Sequence, residues 1–452
     1  GDILLRGYLR FKKSLATNWL SKLHELEELP EEERVSIGIP DWKDIYHAII
    51  LTTYREEASI LEASLDSALA AQYPKDKIIV VLATEGRVHD HATQIAATLQ
   101  AKYGNSFFKF YVTEHPDGIV GEVKAKGANA TWAAKQLVKE MDAEGISLEN
   151  VVVTTADADS RFHEHYFSVL TYKYVVTPDR LRVSFHPIAM YFNNIWEAGW
   201  FSRLLAFGTT FWQLVESVRD YRLVTFATHA TSLHTLKEIN YWSTSIVNED
   251  SRQYFRAFFH YDGNFRVVPL FIPIYMDAVH VGTRWGTLKN LYFQQQRWAY
   301  GVEHFPYIVL ESFRHKMIPL RLRVGLVFRA FAGTFSWGTS AFFLTVVGWL
   351  PLILNKSFHA HVAASNFPIV TQILLSITWV GLLVSAGITL MLLNTVSHGK
   401  KPIHFVSMMG QWLLVPFATV FFGAIPGIDA QTRLMFGKYM GFRVTEKVAT
   451  KD

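Results

Sequence analysis

The sequence predicts an α/β domain with a doubly wound, mostly parallel sheet, followed by α-helical transmembrane and interface helices. Two observations carry this. Apolar strands alternate with helices between residues 46 and 160, the pattern of a sheet whose strands are joined by crossover helices. Farther on, three stretches (330–354, 357–399 and 402–428) contain no Asp, Glu, Lys or Arg. The 452 residues suffice for more than one unit with a full core. Charged residues are only 19% of them and hydrophobic residues 50%, whereas soluble domains carry about 25% charge.

Residues 1–44 read as an N-terminal helix and linker. GDILLRGYLRFKKSLATNWLSKLHELEE (1–28) mixes Leu, Tyr, Phe and Trp with Lys and Arg at helical spacing. That pattern fits a basic amphipathic helix on a membrane face and, equally, a surface helix packed on the main domain. LPEEERVSIGIPDW (29–42) is the linker. The main domain spans 45–300. Its strands are YHAIILTTY (46–54), DKIIVVLATEG (76–86), FFKFYVTE (107–114) and NVVVTTADADS (150–160). Its helices cover 56–72, 90–103 and 127–145. In such sheets a ligand sits beyond the carboxyl ends of the strands, and the acidic and polar punctuation of this chain falls there. Residues 188–216, rich in aromatics and poor in charge, fit an interface helix, with a buried core helix as the competing reading.

Residues 301–328 read as an interface helix and 329–396 as two transmembrane helices. The spans are set at 329–354 and 367–394, each near or above the roughly 20 apolar residues a crossing needs. Arg314, Lys316, Arg321 and Arg323 precede the first span, Lys400 and Lys401 follow the second, and only Lys356 lies between. The positive-inside rule therefore puts the main domain and the 395–404 loop in the cytoplasm. Arg433, Lys438, Arg443 and Lys447 ask the same of the 429–452 tail, so 402–428 is expected to lie at the interface or to re-enter. With no Cys, disulfides and thiolate metal ligands are excluded. A net charge of +4 without a basic tract argues for no nucleic-acid partner. The chain opens on Gly1 with no secretory signal, which leaves room for a further N-terminal part.

Three short motifs carry chemistry. Asp157-Ala158-Asp159 ends an apolar strand, and two carboxylates so spaced can share a divalent cation with water and phosphate oxygens. Asn248-Glu249-Asp250 precedes SRQYFRAFF. A carboxylate there fits a general base and also fits a helix N-cap, and one residue can serve both ends. Gln294-Gln295-Gln296-Arg297-Trp298 supplies a guanidinium suited to diphosphate and an indole suited to a sugar face, or an interface anchor.

The order TTYREE (52–57), KGAN (126–129), DAD (157–159), NED (248–250) and QQQRW (294–298), followed by apolar spans, resembles the processive inverting family 2 glycosyltransferases of the cellulose, chitin and hyaluronan synthase type. FRVTEK (442–447) is similar to the gating loop of cellulose synthases. The resemblance covers about residues 45–447 and implies a GT-A-type domain. It further implies an inverting, metal-dependent transfer, with Mg²⁺ or Mn²⁺, from a nucleotide sugar, expected to be UDP-linked. The acceptor would be a growing polysaccharide passed through the lipid bilayer, or a lipid in a single transfer. The place would be the bacterial inner membrane, with the catalytic domain cytoplasmic. Carried over residue by residue, Asp157 and Asp159 hold the metal and Asp250 is the catalytic base. Thr52, Tyr54, Glu56, Glu85, Lys126, Asp157, Arg297, Thr445 and Lys447 would meet the donor. His229, Glu249, Gln294 and Trp298 would meet the acceptor. Two segments depart from the family pattern. ATEG (83–86) stands where many relatives have Asp-Asp-Gly, so Glu85 takes over the base contact. FATHATSLHTLKEI (226–239) lacks the usual Gly-Ser/Thr turn and Arg pair, and His229 there either faces the acceptor or is a structural histidine.

Overall fold

The computed structural model describes residues 1–30, 32, 34, 38–343, 353–354, 362–393 and 402–441. The chain divides into two compact units. One, built from residues 6–195 and 212–277, holds the sheet; the other comprises 1–5, 196–211 and the described residues from 278 on.

In the sheet unit the strands are β1 (Tyr46–Thr52), β2 (Ile78–Glu85), β3 (Lys109–His115), β4 (Val151–Asp157), β5 (Arg161–Phe162), β6 (Val183–Met190), β7 (His229–Ser232) and β8 (Arg266–Tyr275). Their order is β3-β2-β1-β4-β7-β6-β8-β5. The first four are parallel. They are joined by helices over Ala58–Ala70, His89–Tyr103 and Lys126–Glu144, as the alternation predicts. Beyond β4 the sheet is mixed. β7 runs antiparallel to β4 and β6, β5 antiparallel to β8, and β6 parallel to β8. Six of the eight strands nevertheless run the same way, as a mostly parallel sheet requires, and only β5 and β7 run against them. The strands that break it, β5 and β7, have two and four residues, too few for any periodicity to mark them.

Among the described residues the helices of this part of the chain are α1 (Asp2–Ala16), α2 (Trp19–Glu27), α3 (Ala58–Ala70), α4 (His89–Tyr103), α5 (Lys126–Glu144), α6 (Tyr166–Val176), α7 (Trp200–Val218), α8 (Leu233–Glu238) and α9 (Glu249–His260). The period of two along β1 splits its side chains between layers. Ala48 and Ile50 pack with Ala130, Ala133, Ala134 and Leu137 of α5. His47 turns to the other face, against Phe167 and the Thr171 hydroxyl of α6. From Arg6 on, α1 is a packed surface helix. Gly7 lies so close to Leu214 that a Cβ would sit 2.7 Å from its carbonyl oxygen, and Ser14 Oγ donates to Leu270 O at 3.3 Å. Leu9 on its outer side stays exposed.

The helix predicted from residue 188 begins only at Trp200. Ile188 and Met190 are instead held in β6, in register with Pro273 and Tyr275. Asn193 then donates its N–H to Met276 O at 3.1 Å. Sheet pairing overrides the aromatic, charge-poor composition that reads as one long helix.

The second unit holds α10 (Arg284–Ala299), α11 (His304–Arg314), α12 (Leu320–Phe342), α13 (Val362–Leu393), α14 (Pro402–Gly410), α15 (Val415–Thr419) and α16 (Ile425–Met435). Thr283 caps α10 by accepting the Gly286 N–H at 3.2 Å. α12 and α16 meet at glycines. A Cβ on Gly427 would lie 3.1 Å from Trp337, and one on Gly338 would lie 3.3 Å from Ile428. Phe328, Phe331 and Phe335 of α12 and Ile373, Ile377 and Val380 of α13 are exposed. Among the described residues one helix is long and apolar enough, by length and composition only, to cross a membrane: His404–Met435. It falls on the stretch that the charge distribution assigns to the interface. A 3₁₀ turn (Gln411–Leu414) and a π turn (Val420–Ala424) interrupt it. Each lies just ahead of a proline, Pro416 or Pro426, which has no N–H for the ladder. Part of the first predicted span, the 394–401 loop and FRVTEK with Thr445 and Lys447 lie outside the described residues.

Candidate active site

Asp157 closes β4, and its strand register places it beside Thr52, the last residue of β1. This is the topological switch of the parallel half, with β2 on one side of β1 and β4 on the other. Thr52 Oγ1 donates to Ala156 O at 3.3 Å. The turn after β4 is held from below by Ser64 Oγ, which donates to Ala158 O at 2.6 Å. Asp159 is buried, and its Oδ2 accepts the backbone N–H of Asp277 at 2.8 Å. Asn193 Nδ2 donates both to Asp277 Oδ1 (2.9 Å) and to Asp159 O (3.2 Å).

Lys126, the first residue of α5, ion-pairs with Asp157 Oδ1 at 2.6 Å. Burial pulls its pKa down, yet Asp157, Glu249 and Asp250 outweigh this and hold it above the usual lysine value. Next to it, Gly127 packs on the acidic motif. A Cβ there would lie 2.6 Å from Ser243 O and 2.8 Å from Glu249 Cβ, so only glycine lets α5 and α9 approach this closely. Glu249 is buried, and burial together with Asp250 pushes its pKa up to about 8. It is therefore a neutral acid at pH 7.

Asp250 is half-buried. Its Oδ1 accepts the Ser251 N–H and its Oδ2 the Ala227 N–H, both at 2.7 Å. Ala227 has φ 47°, the left-handed region that costs a non-glycine residue about 1–2 kcal/mol. His229 is buried and pushed down to about 4 by burial and by Lys126. Both its nitrogens have partners inside the protein, Ala227 O at 3.2 Å and the Gln253 amide.

The loop after β1 is organised by Glu56, whose Oε2 accepts from Thr53 Oγ1 (3.0 Å) and from the N–H groups of Tyr54 (2.7 Å) and Arg55 (3.1 Å). Glu85, at the end of β2, accepts twice from Arg87, at 2.7 and 3.0 Å. The Arg87 guanidinium lies 4.0 Å from the centre of the Tyr54 ring. Arg55, Gly86, Arg87, His89, Asp90 and His91 border a cleft of about 600 Å³ beyond these strand ends. In the second unit, α10 splits the QQQRW run between two faces. Tyr292 (2.9 Å) and Gln296 hydrogen-bond to Asp429 of α16. Gln294, Arg297 and Trp298 share another face at i, i+3 and i+4 and are half-buried.

Within the sheet unit the structure thus brings together Thr52, Lys126, Asp157, Asp159, Glu249 and Asp250, with Tyr54, Glu56 and Glu85 along the neighbouring strand ends. Arg87, Ala227, Asn193 and Asp277 join them without any motif to mark them. Arg87 alone has a local signal, two residues after Glu85 at a strand end. Among the described residues no group of three His, Asp or Glu side chains is placed to hold a metal. Asp157 and Asp159 nevertheless fit a hard divalent cation as a two-carboxylate seat, its shell completed by phosphate oxygens and water. The Lys126 ammonium already puts positive charge on Asp157. Here the Lys126 ammonium can offer positive charge to a diphosphate, and an ionised carboxylate such as Asp250 can accept a proton.

Residues 152–422, more than half of the chain, match the sequence profile described as glycosyl transferase family group 2. No curated protein matches the chain. Among solved structures it is similar to a mannosyltransferase, PcManGT from Pyrobaculum calidifontis, in complex with GDP-Man and Mn²⁺. That match has a TM-score of 0.45 and 14% identity and covers 97% of this chain and 96% of that one. It is also similar to TarS 1–349 of S. aureus in complex with UDP-GlcNAc. Here the TM-score is 0.40 and the identity 12%, with 87% of this chain and 93% of that one covered. With the profile running from β4 through the acidic motifs into the helical unit, the chain belongs to glycosyl transferase family group 2.

Proposed function

We propose that this protein transfers a sugar from a nucleotide-sugar donor, UDP-linked, to the growing end of a polysaccharide, inverting the anomeric carbon and passing the product across the bilayer. The observation that supports this most is the cluster at the carboxyl ends of β1 and β4: Lys126 on Asp157, Asp159 beside them, and Asp250 within the field of the same lysine. Asp157 and Asp159 would hold Mg²⁺ or Mn²⁺, which when bound supplies charge to the departing diphosphate. Lys126 adds its own charge to the same oxygens. Asp250, fixed by two backbone N–H groups, takes the proton of the acceptor hydroxyl. The hydroxyl oxygen bonds to the anomeric carbon as the bond to the diphosphate breaks on the opposite face, which inverts the centre. Neutral Glu249 beside it can donate a hydrogen bond to the acceptor. Thr52, Tyr54, Glu56 and Glu85 are assigned to the nucleotide, as are Thr445 and Lys447. Arg297 is assigned to the diphosphate, and Gln294 and Trp298 to the acceptor mouth, a role supported by their common helix face.

A second reading is a single transfer to a lipid acceptor. The acceptor region 226–239, which lacks the Gly-Ser/Thr turn and Arg pair of the synthases, favours it. In either reading the protein is integral to the membrane, the bacterial inner membrane, with the sheet unit cytoplasmic. The test is turnover of a panel of UDP- and GDP-sugars by the purified protein with Mg²⁺ or Mn²⁺, followed by product sizing. The expected result is nucleoside diphosphate release that stops on chelation and in Asp157→Asn. A ladder of long products supports the synthase, and one lipid-linked sugar the second reading. No turnover of any donor contradicts both.

A further inference from the structure

Asp250 is held from outside its own helix, by the loop that leads into β7. Thr225 Oγ1 donates to the Asp250 carbonyl at 2.7 Å, and the Ala227 N–H to its Oδ2 at 2.7 Å. Ala227 can aim that N–H only in its left-handed conformation, φ 47°, so something must hold the loop there. Two buried histidines do. His186 Nε2 donates to Phe226 O at 3.0 Å and His229 Nδ1 to Ala227 O at 3.2 Å, so consecutive carbonyls are each tied down. The Phe226 ring is set between His186 (4.1 Å) and Trp212 (4.9 Å). His229 Nε2 meets the side chain of Gln253, one turn after Asp250 on α9, and Trp242 Nε1 donates to the same nitrogen at 3.4 Å. With Nδ1 donating and Nε2 accepting from Trp242, the ring is the neutral Nδ1–H tautomer. The Gln253 group facing it is then the amide nitrogen.

The contacts close a ring: Asp250 to Ala227, Ala227 to His229, His229 to Gln253, and Gln253 back along α9 to Asp250. We propose that this ring is the device that aims the base, and that His229 and His186 are positioning residues for Asp250 which do not meet the substrate. The proposal rests on Asp250 being the base. It replaces the acceptor role assigned to His229 by resemblance, since both ring nitrogens are spent inside the protein.

The test uses the full-length protein and the UDP- or GDP-sugar that wild type turns over fastest, read as nucleoside diphosphate release. The variants are His229→Ala, His229→Asn and Asp250→Asn. Asparagine keeps a side-chain N–H near the position of Nδ1. A misplaced base costs about 10- to 100-fold in rate. The expected result is therefore a kcat loss of that size in His229→Ala with donor KM within about twofold, and recovery of most of kcat in His229→Asn. Unchanged kcat in His229→Ala overturns the proposal. So does an equal fall in both histidine variants, or a donor KM that rises as kcat falls, because a general structural loss does that. Should His229→Ala not fold, Gln253→Ala cuts the same ring without removing the histidine and is judged by the same criteria. Full activity in Asp250→Asn instead removes the base assignment itself. A dead Asp250→Asn beside an unaffected His229→Ala sinks the positioning role alone.

Discussion

Glu249 is a buried acid packed against Gly127 and beside Asp250, and its pKa of about 8 makes the folded state prefer the protonated form. In the unfolded chain the same group titrates near 4.5. Its folded pKa is raised, so its contribution to stability is complete below about pH 4.5 and is lost as the pH rises through about 8. At roughly 1.4 kcal/mol per pKa unit the swing amounts to a few kcal/mol. Glu249→Gln, which stays neutral, is expected to gain stability relative to wild type steadily between pH 5 and pH 8. Thermal unfolding of both proteins across that range is the check, and a constant difference would show Glu249 ionised throughout. The buried histidines His186 and His229, both pushed down to about 4, act in the opposite direction. Their contribution is present above pH 6.5 and fades as the pH falls towards 4. At this scale the sequence was readable where chemistry is written in short motifs. Asp157, Asp159 and Asp250 stand out as acids after apolar strands or before a helix. Asp277 and Ala227 did not, because Asp277 reaches Asp159 across 118 positions of chain, and Ala227 works through its backbone N–H, which any residue but proline supplies.

The contact between α5 and α9 decides the geometry of the site at the level of elements. α5 delivers Lys126 to Asp157, α9 delivers Asp250, and Gly127 is where the two touch. Gly127→Ala would push a methyl group onto Ser243 O, a backbone atom that yields only if the loop before α9 moves. The expected cost is about 1–3 kcal/mol of stability and a 10- to 100-fold loss in transfer rate. Paired unfolding and kinetic measurements check this, and a Gly127→Ala variant with wild-type rate would show that the approach is slack. Elements of the parallel half were legible within about three residues because each strand is a continuous apolar run. The segment from 188 failed for a physical reason. Ile188–Met190 are equally apolar in a helix or a strand, and only their partner β8, far along the chain, selects the strand. The interruptions ahead of Pro416 and Pro426 could be foreseen from those residues alone.

For the molecule as a whole, one chain joins an α/β unit to a helical unit that exposes phenylalanines on α12 and branched apolar residues on α13. Gly338 and Gly427 let α12 and α16 approach closely. The charge count and the helix lengths point to different crossing segments, and neither bears on the chemistry at the strand ends. That chemistry stands or falls on Asp250. The most direct measurement is nucleoside diphosphate release by purified Asp250→Asn with Mn²⁺ and the preferred UDP- or GDP-sugar, alongside donor binding by the same protein. Binding within about twofold of wild type with a kcat loss of at least ~100-fold is expected of a lost general base. Wild-type kcat in Asp250→Asn would contradict it.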